Sequence, residues 1–369
     1  MLVNDMDRRV LIITNTIDCG GAEAFVMKVF RCLKPKGYTF DFLINNRKSN
    51  FYEEEISQLG GSIFYGCSKS RSPLKSFQTV YQTVKAGQYK TIFCISTHPL
   101  GFLDLLAAKL AGAKKRLIRS TTSKTGGAMP ELFIEFSRLL VRHLATSMLA
   151  PSTEAAIWLF GEKPVQKGRV HIITNGVDIN DYHYDEKTRR QTRAQLGIAK
   201  QDKVIGHIGR FSSPKNHKFL IDVFADIHTK DPDTILLLVG GGELEPDIRQ
   251  QIQKRNISEA VKFLGVRNDV NRLLMAMDVM IFPSFYEGLP NVVIEAQAVG
   301  LPCLISDTIS SEVKITELVS FLSLDKGIAA WTEAALSCMT IEHRDTSTQI
   351  EESGYTIQRT ACFLEKLLG

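Results

Sequence analysis

Residues 280–300 constrain the fold most. Met280-Ile281-Phe282-Pro283-Ser284 is a short apolar run stopped by a proline, the pattern of a buried strand. Pro290 and Asn291 then open an apolar helix that runs to Gly300, with Pro302 just beyond. The turn between them carries Glu287 and the helix carries Glu295. At ~1.5 Å of rise per residue, eight positions set these carboxylates on the order of 10 Å apart. That span suits one ligand held at two points, one Glu on its reactive end and one on a diol further along. The free amides of Gly288, Leu289 and Asn291, at the positive end of the helix, face an anion between them. A sugar–diphosphate–nucleoside has that order of parts.

The same strand-then-helix rhythm runs along the whole chain. In the first half, strands are expected at Val10–Ile13, Phe40–Ile44, Ile63–Tyr65, Thr91–Ile95 and Arg116–Ile118, with helices at Ala22–Leu33, Leu103–Ala111 and Pro130–Ala145. The second half repeats the plan from Val204 to Val299. Such alternation predicts parallel, doubly wound sheets. A chain of 369 residues is long for one core and suits two. The expected organisation is α/β: two Rossmann-like domains facing a cleft, residues 1–180 and 203–355. The charged, turn-rich stretch 181–202 is expected as a linker, and a helix lies within 356–369. With 44% hydrophobic and 23% charged residues, the composition is that of an ordinary globular protein. Seven scattered cysteines without a Cys-x-x-Cys pair argue against a disulfide framework or a zinc site. No apolar run approaches the roughly 18 residues that span a bilayer. The polar N-terminus shows no signal peptide, and a reduced cytoplasmic setting is expected.

Charge divides unevenly. Residues 1–180 hold 24 Lys and Arg against 14 Asp and Glu, whereas residues 181–369 hold 21 against 26. The first half is expected to meet something anionic, or to carry a solvated basic surface without a partner. There is no basic-aromatic signature of nucleic-acid recognition. Lys109, Lys114, Lys115, Arg116, Arg119, Arg138 and Arg142 are the cations available. The amphipathic stretch Leu132–Leu149 is either a packed surface helix or a membrane contact.

Further motifs fall in a consistent order. Gly20-Gly21-Ala22-Glu23 follows the first strand, Asn175-Gly176-Val177-Asp178 lies near the middle, and Gly209-Arg210-Phe211 precedes Lys215-Asn216. Val239-Gly240-Gly241-Gly242-Glu243 and Phe263-Leu264-Gly265 come next, then the Glu287/Glu295 pair. Together they resemble the retaining glycosyltransferases of family 4, which have the GT-B fold, and most of all bacterial enzymes that build exopolysaccharide or capsule repeat units. The resemblance covers nearly the whole chain. It implies transfer of a sugar from a nucleoside diphosphate, UDP, to a saccharide or polyprenyl-diphosphate-linked acceptor at the inner face of the membrane. It also implies that the final helix crosses back to the first domain.

On this reading Arg210 and Lys215 grip the donor diphosphate with a planar guanidinium and a mobile ammonium. Gly20 and Gly21 let backbone approach a phosphate or acceptor. Glu295 accepts from ribose hydroxyls, and Glu287 meets the transferred sugar. Gly241, Phe263 and Arg267 fall near the nucleoside, although Gly240–Gly242 equally suits a plain strand-to-helix turn and Arg267 a surface cation. His98, at a strand end, polarises a sugar hydroxyl or is a satisfied loop histidine. The family's His-x-His strand end is absent from Cys94-Ile95-Ser96-Thr97-His98-Pro99. Asp5-x-Asp7 and Asp231-x-Asp233 read as a tail and a turn rather than metal ligands, so no metal or other cofactor is expected. Two other functions stay open: a nucleotide-sugar epimerase of the same fold, and a non-catalytic donor-binding subunit.

Overall fold

A computed structural model describes residues 8–18, 20–46, 51–69, 71–121, 130–287 and 289–369. The chain divides into two compact units, one of residues up to Gly176 with Ile357–Gly369, the other Val177–Thr356. Unit 1 holds strands β1 (Arg9–Thr14), β2 (Thr39–Ile44), β3 (Ile63–Tyr65), β4 (Thr91–Ser96), β5 (Lys115–Ser120), β6 (Ser147–Ala150) and β7 (Val170–Ile172). Unit 2 holds β8 (Lys203–Ile208), β9 (Thr234–Val239), β10 (Val261–Gly265), β11 (Val279–Phe282), β12 (Cys303–Ser306) and β13 (Val319–Leu322).

The sheets run β3-β2-β1-β4-β5-β6-β7 and β10-β9-β8-β11-β12-β13, and their strand pairs are parallel. Each order reverses once, between β1 and β4 and between β8 and β11. Loops leaving the carboxyl ends of those two neighbours part in opposite directions and open a crevice. In unit 2 Arg210 and Lys215 follow β8, the Gly240–Gly242 turn follows β9, and Glu287 follows β11; in unit 1 Gly20 and Gly21 follow β1 and His98 follows β4.

Helices cover both faces of each sheet, which is why the central strands are apolar on both sides. In unit 2 one cluster joins Val204, Leu237, Met280, Phe282 and the helix residues Val293, Ile294 and Ala296. The opposite face joins Ile205, Leu236, Ile281, Phe211, Phe224 and Trp331. In unit 1 the last helix, Ile357–Leu368, sets Ile357, Ala361, Leu364 and Leu368 against Phe25 and Phe30.

Two expectations are corrected. The stretch 181–202 is not an open linker. Glu186–Gln195 is a helix, capped by the Asp185 carboxylate, which accepts from Thr188 N at 2.8 Å. Arg189 and Arg193, one helical turn apart, both reach Asp278, at 2.5 and 3.2 Å, and bind the carbonyls of Met275 and Ala276. Charged residues that looked solvated therefore fasten this helix to unit 2.

The basic cluster of unit 1 is also partly structural. Arg119 is only 1% exposed. Arg116 donates to the carbonyls of Leu144, Ala113 and Lys114, and Lys115 to that of Leu368. Lys109 and Lys114 remain exposed.

The helix Asn291–Ala298 is held by a buried amide. The Gln297 Oε1 accepts from Ile315 N at 3.0 Å, Thr316 N at 2.9 Å and Thr316 Oγ1 at 3.1 Å. Its Nε2 donates to Val313 O at 2.8 Å and Val293 O at 3.1 Å. Gln297→Met keeps the volume but strands two amides and a carbonyl in the core. It should cost about 3 kcal/mol of stability, read as a lower urea midpoint; a change within experimental error would contradict this role.

Candidate active site

The unit 2 crevice is built by two loops tied to each other. After β8 the chain runs through Gly209-Arg210-Phe211 into a single turn of tight helix, Ser213–Lys215. Asn216 then takes the left-handed conformation, φ 52° and ψ 46°, and starts the helix His217–Lys230. After β11 the loop from Pro283 is fixed at three points. Phe285 N donates to Pro214 O at 2.8 Å, Thr308 Oγ1 donates to Ser284 O at 2.9 Å, and Glu287 makes a parallel bridge with Ile309.

These ties bring Lys215 and Glu287 together: Nζ lies 2.6 Å from Oε1, with both side chains mostly buried. The Lys215 ammonium also sits 4.4 Å from the centroid of the Phe282 ring, whose negative face adds a second attraction. Pro290 gives the helix Asn291–Ala298 no side-chain cap, and Val293 N donates to Pro290 O at 3.1 Å. Leu289 is half-buried beside it, and Gly288 lies outside the described residues. Glu295 is 9% exposed within the same helix.

Arg210 reaches a different partner. Its guanidinium is exposed and donates to Glu243 at 3.2 Å. The Glu243 carboxyl is held below its usual range by its own backbone amide and by Arg210. The glycines behind it serve backbone packing. A Cβ on Gly240 (φ +133°) would stand 2.1 Å from Gly209 O, and one on Gly242 2.4 Å from Phe211 O. Phe211 N donates to Gly241 O at 3.0 Å and closes the two loops back to back. Gly240 and Gly242 are thus explained by the neighbouring loop, whereas a Cβ on Gly241 would meet only the Val266 side chain, at 3.8 Å.

Two of the nucleoside candidates already have partners within unit 2. Phe263 is part-buried against the core, edge-to-face with Phe211 at 6.1 Å, and the Arg249 guanidinium lies over its ring at 3.7 Å. Arg267 is gripped by Asp269 through two hydrogen bonds of 2.8 and 2.7 Å, the geometry of a surface ion pair.

In unit 1, Gly20 caps the helix Gly21–Leu33 at the exit of β1. Glu23 folds back beneath it and accepts from Thr16 Oγ1 at 2.7 Å, and burial raises its carboxyl above the usual range. Arg119, missed as an internal group, donates to Ile173 O at 3.0 Å and Asn175 Oδ1 at 2.6 Å while covering the Phe25 ring. Asn175 Nδ2 in turn reaches Gly21 O at 3.5 Å. His98 follows β4 and is half-buried. Its Nδ1 accepts from Leu100 N at 3.1 Å, which puts the proton of the neutral ring on Nε2 as a donor, and burial lowers its pKa. Gly20, Gly21 and His98 therefore flank the unit 1 crevice, and the other candidates lie in unit 2.

Glu243 and Phe282 fall inside quoted motifs without a role assigned to them, and Thr308 was passed over. Sequence reasoning also passed over a buried histidine pair below Lys215. His207 and His217 lie 4.6 Å apart, ring to ring. His207 Nδ1 donates to Ile281 O at 2.9 Å. Burial, then the Lys215 charge, lowers His217 to about 4; burial, then Arg189, lowers His343 to about 4 as well. Burial, with His217 next, holds His207 well below the ordinary value. An unfolded ring protonates near 6.5 and these folded rings only far below it. Unit 2 should therefore keep full stability above about pH 7 and lose about 1–2 kcal/mol per ring by about pH 5. Urea midpoints across that range read the loss, and a flat profile would contradict it.

Comparison with known proteins agrees with this architecture. Residues 188–353 match the family model described as glycosyl transferases group 1. "Putative glycosyltransferase EpsF" of Bacillus subtilis (strain 168) is 35% identical over 338 residues, covering 90% of this chain and 88% of that protein. The Escherichia coli UDP-Gal:alpha-D-GlcNAc-diphosphoundecaprenol alpha-1,3-galactosyltransferase is 27% identical, covering 63% of this chain and 62% of its own. Among solved structures, Anabaena HepE in complex with UDP and glucose superposes with a TM-score of 0.75 at 20% identity, covering 98% of this chain and 99% of HepE. The chain belongs to the group 1 glycosyltransferases and has their GT-B fold.

Proposed function

We propose that this glycosyltransferase moves a hexose or N-acetylhexosamine from a UDP-sugar to a saccharide carried on a polyprenyl diphosphate, with retention at the anomeric carbon. The observation that carries the reading is the Lys215–Glu287 pair at the switch point of unit 2, below an uncapped helix start. The E. coli relative is named for a UDP-galactose donor and a diphosphoundecaprenol acceptor, and HepE was solved with UDP and glucose, which supports the choice of both partners.

The chemistry needs positive charge where the diphosphate departs. At about 4 Å and an effective dielectric near 20, two like charges repel by about 4 kcal/mol. A diphosphate beside Glu287 would meet that penalty unless a cation stood between them. Lys215 stands there, and Arg210 and the amides of Leu289 and Asn291 add to it. These groups supply the charge without a metal. As the bond from the anomeric carbon to the β-phosphate oxygen breaks, the acceptor hydroxyl attacks from the same face and forms the new glycosidic bond. The hydroxyl proton passes to the leaving phosphate oxygen. Glu287 contacts sugar hydroxyls and steadies positive charge at the anomeric carbon, Glu295 holds the ribose, and His98 Nε2 donates to a sugar hydroxyl.

The acceptor is proposed to be met at a membrane surface. No helix among the described residues is long and apolar enough to cross a membrane. The helix Glu131–Leu144 leaves Leu132 85%, Phe136 55% and Leu139 46% exposed in one stripe, with Arg138 and Arg142 on the same helix. That stripe favours a lipid contact over the packed surface helix.

Three experiments test these readings. Glu287→Ala should abolish transfer from UDP-sugars while UDP still binds, whereas Arg210→Ala should weaken UDP binding in calorimetry. Full activity in the first, or unchanged affinity in the second, removes that residue from its role, and sugar epimerisation without transfer would favour an epimerase. Sedimentation with anionic-lipid vesicles should fall strongly in Leu132→Ser/Phe136→Ser. Equal sedimentation of variant and wild type would contradict membrane docking through this helix.

A further inference from the structure

Phe285 and Tyr286 immediately precede Glu287 and are 49% and 66% exposed. Single exposed aromatic residues are ordinary on a protein surface, but two in succession beside a reactive ion pair are not. The loop does not expose them through slackness. Its backbone is fastened at Phe285 N, Ser284 O and the Glu287 bridge, by Pro214, Thr308 and Ile309. Thr308 is itself bound to Ser306 Oγ at 2.8 Å, so the clamp has its own support. Among the described residues the Tyr286 hydroxyl has no hydrogen-bond partner, and neither ring is stacked on another. The backbone that carries the rings is thus fixed, which lowers the cost in order when a ligand arrives.

We infer that Phe285 and Tyr286 form a platform for the apolar face of a pyranose ring. The axial C–H groups of a sugar ring carry slight positive charge and match the negative face of an aromatic ring, while the sugar hydroxyls stay free for polar partners. Glu287, the next residue, is such a partner, and the Tyr286 hydroxyl is another. The inference rests on the proposed sugar transfer and deepens it. The ring held is either the sugar being moved or the terminal sugar of the acceptor, and both present the same chemistry.

The test compares wild type with Tyr286→Ala and Tyr286→Trp. UDP affinity is read by calorimetry, and KM is read for UDP-galactose and for a GlcNAc-diphospholipid acceptor. Tyr286→Ala should raise one of the two KM values about five- to tenfold, leave UDP affinity unchanged, and be rescued by Tyr286→Trp. A rise for the donor assigns the transferred sugar, and a rise for the acceptor assigns the receiving one. Unchanged KM values for both, or a matching loss of UDP affinity, would overturn the platform. If wild type transfers no sugar, the enzymatic reading fails separately. Saturation transfer from protein to the pyranose protons of UDP-galactose and of methyl N-acetylglucosaminide then decides the platform. It should be present in wild type for at least one sugar and lost in Tyr286→Ala, and its absence from wild type for both would overturn the inference.

Discussion

The contact between Lys215 and Glu287 is the interaction on which the unit 2 crevice depends. An ammonium and a carboxylate brought 2.6 Å apart and mostly out of water must be well placed, because each would be costly there alone. The placement comes from the sheet. β8 and β11 are neighbours at the one point where strand order reverses, so their loops rise side by side yet lead to helices on different paths. Pro214 and Phe285 then join the loops through a single backbone hydrogen bond. Phe282, at the last position of β11, supplies the aromatic face beneath the ammonium. Buried neutral histidines below it add no competing charge at neutral pH.

Much of this was legible in the residues. Strong periodic segments such as His217–Lys230 and Asn291–Ala298 carry their own start signals, and their strands are short apolar runs of the kind only a covered parallel sheet uses. Glu287 and Lys215 were singled out separately from turn and glycine patterns, and the fold places them in contact. The strands β6, β7, β12 and β13 went unread because Ser147, His171, Ser306 and Ser320 interrupt or end their short runs, whereas the equally short β3 and β11 are wholly apolar or aromatic. The helix Glu186–Gln195 was mistaken for a linker because its anchoring side chains are arginines. Its Asp185 cap and the four-residue spacing of Arg189 and Arg193 were the available signals. For Phe263 and Arg267 the residues show that a ring or a guanidinium is present, not that Arg249 and Asp269 already stand beside them.

Unit 1 uses its cations differently from unit 2. Arg119 spends its charge internally, on the Phe25 ring and on the Ile173 and Asn175 acceptors, and through Asn175 steadies the first glycine loop. A net positive first half was therefore only in part a surface property. What is left outside includes Lys109 and Lys114 and the apolar stripe of the helix Glu131–Leu144, whose Arg138 and Arg142 are paired with Glu135.

The most direct measurement is a crystal structure of the protein soaked with UDP-galactose. The account predicts the diphosphate beside Lys215 and the amides of Leu289 and Asn291, with the galactose hydroxyls against Glu287. A nucleotide bound elsewhere, with the Lys215–Glu287 pair undisturbed and empty of ligand, would contradict it.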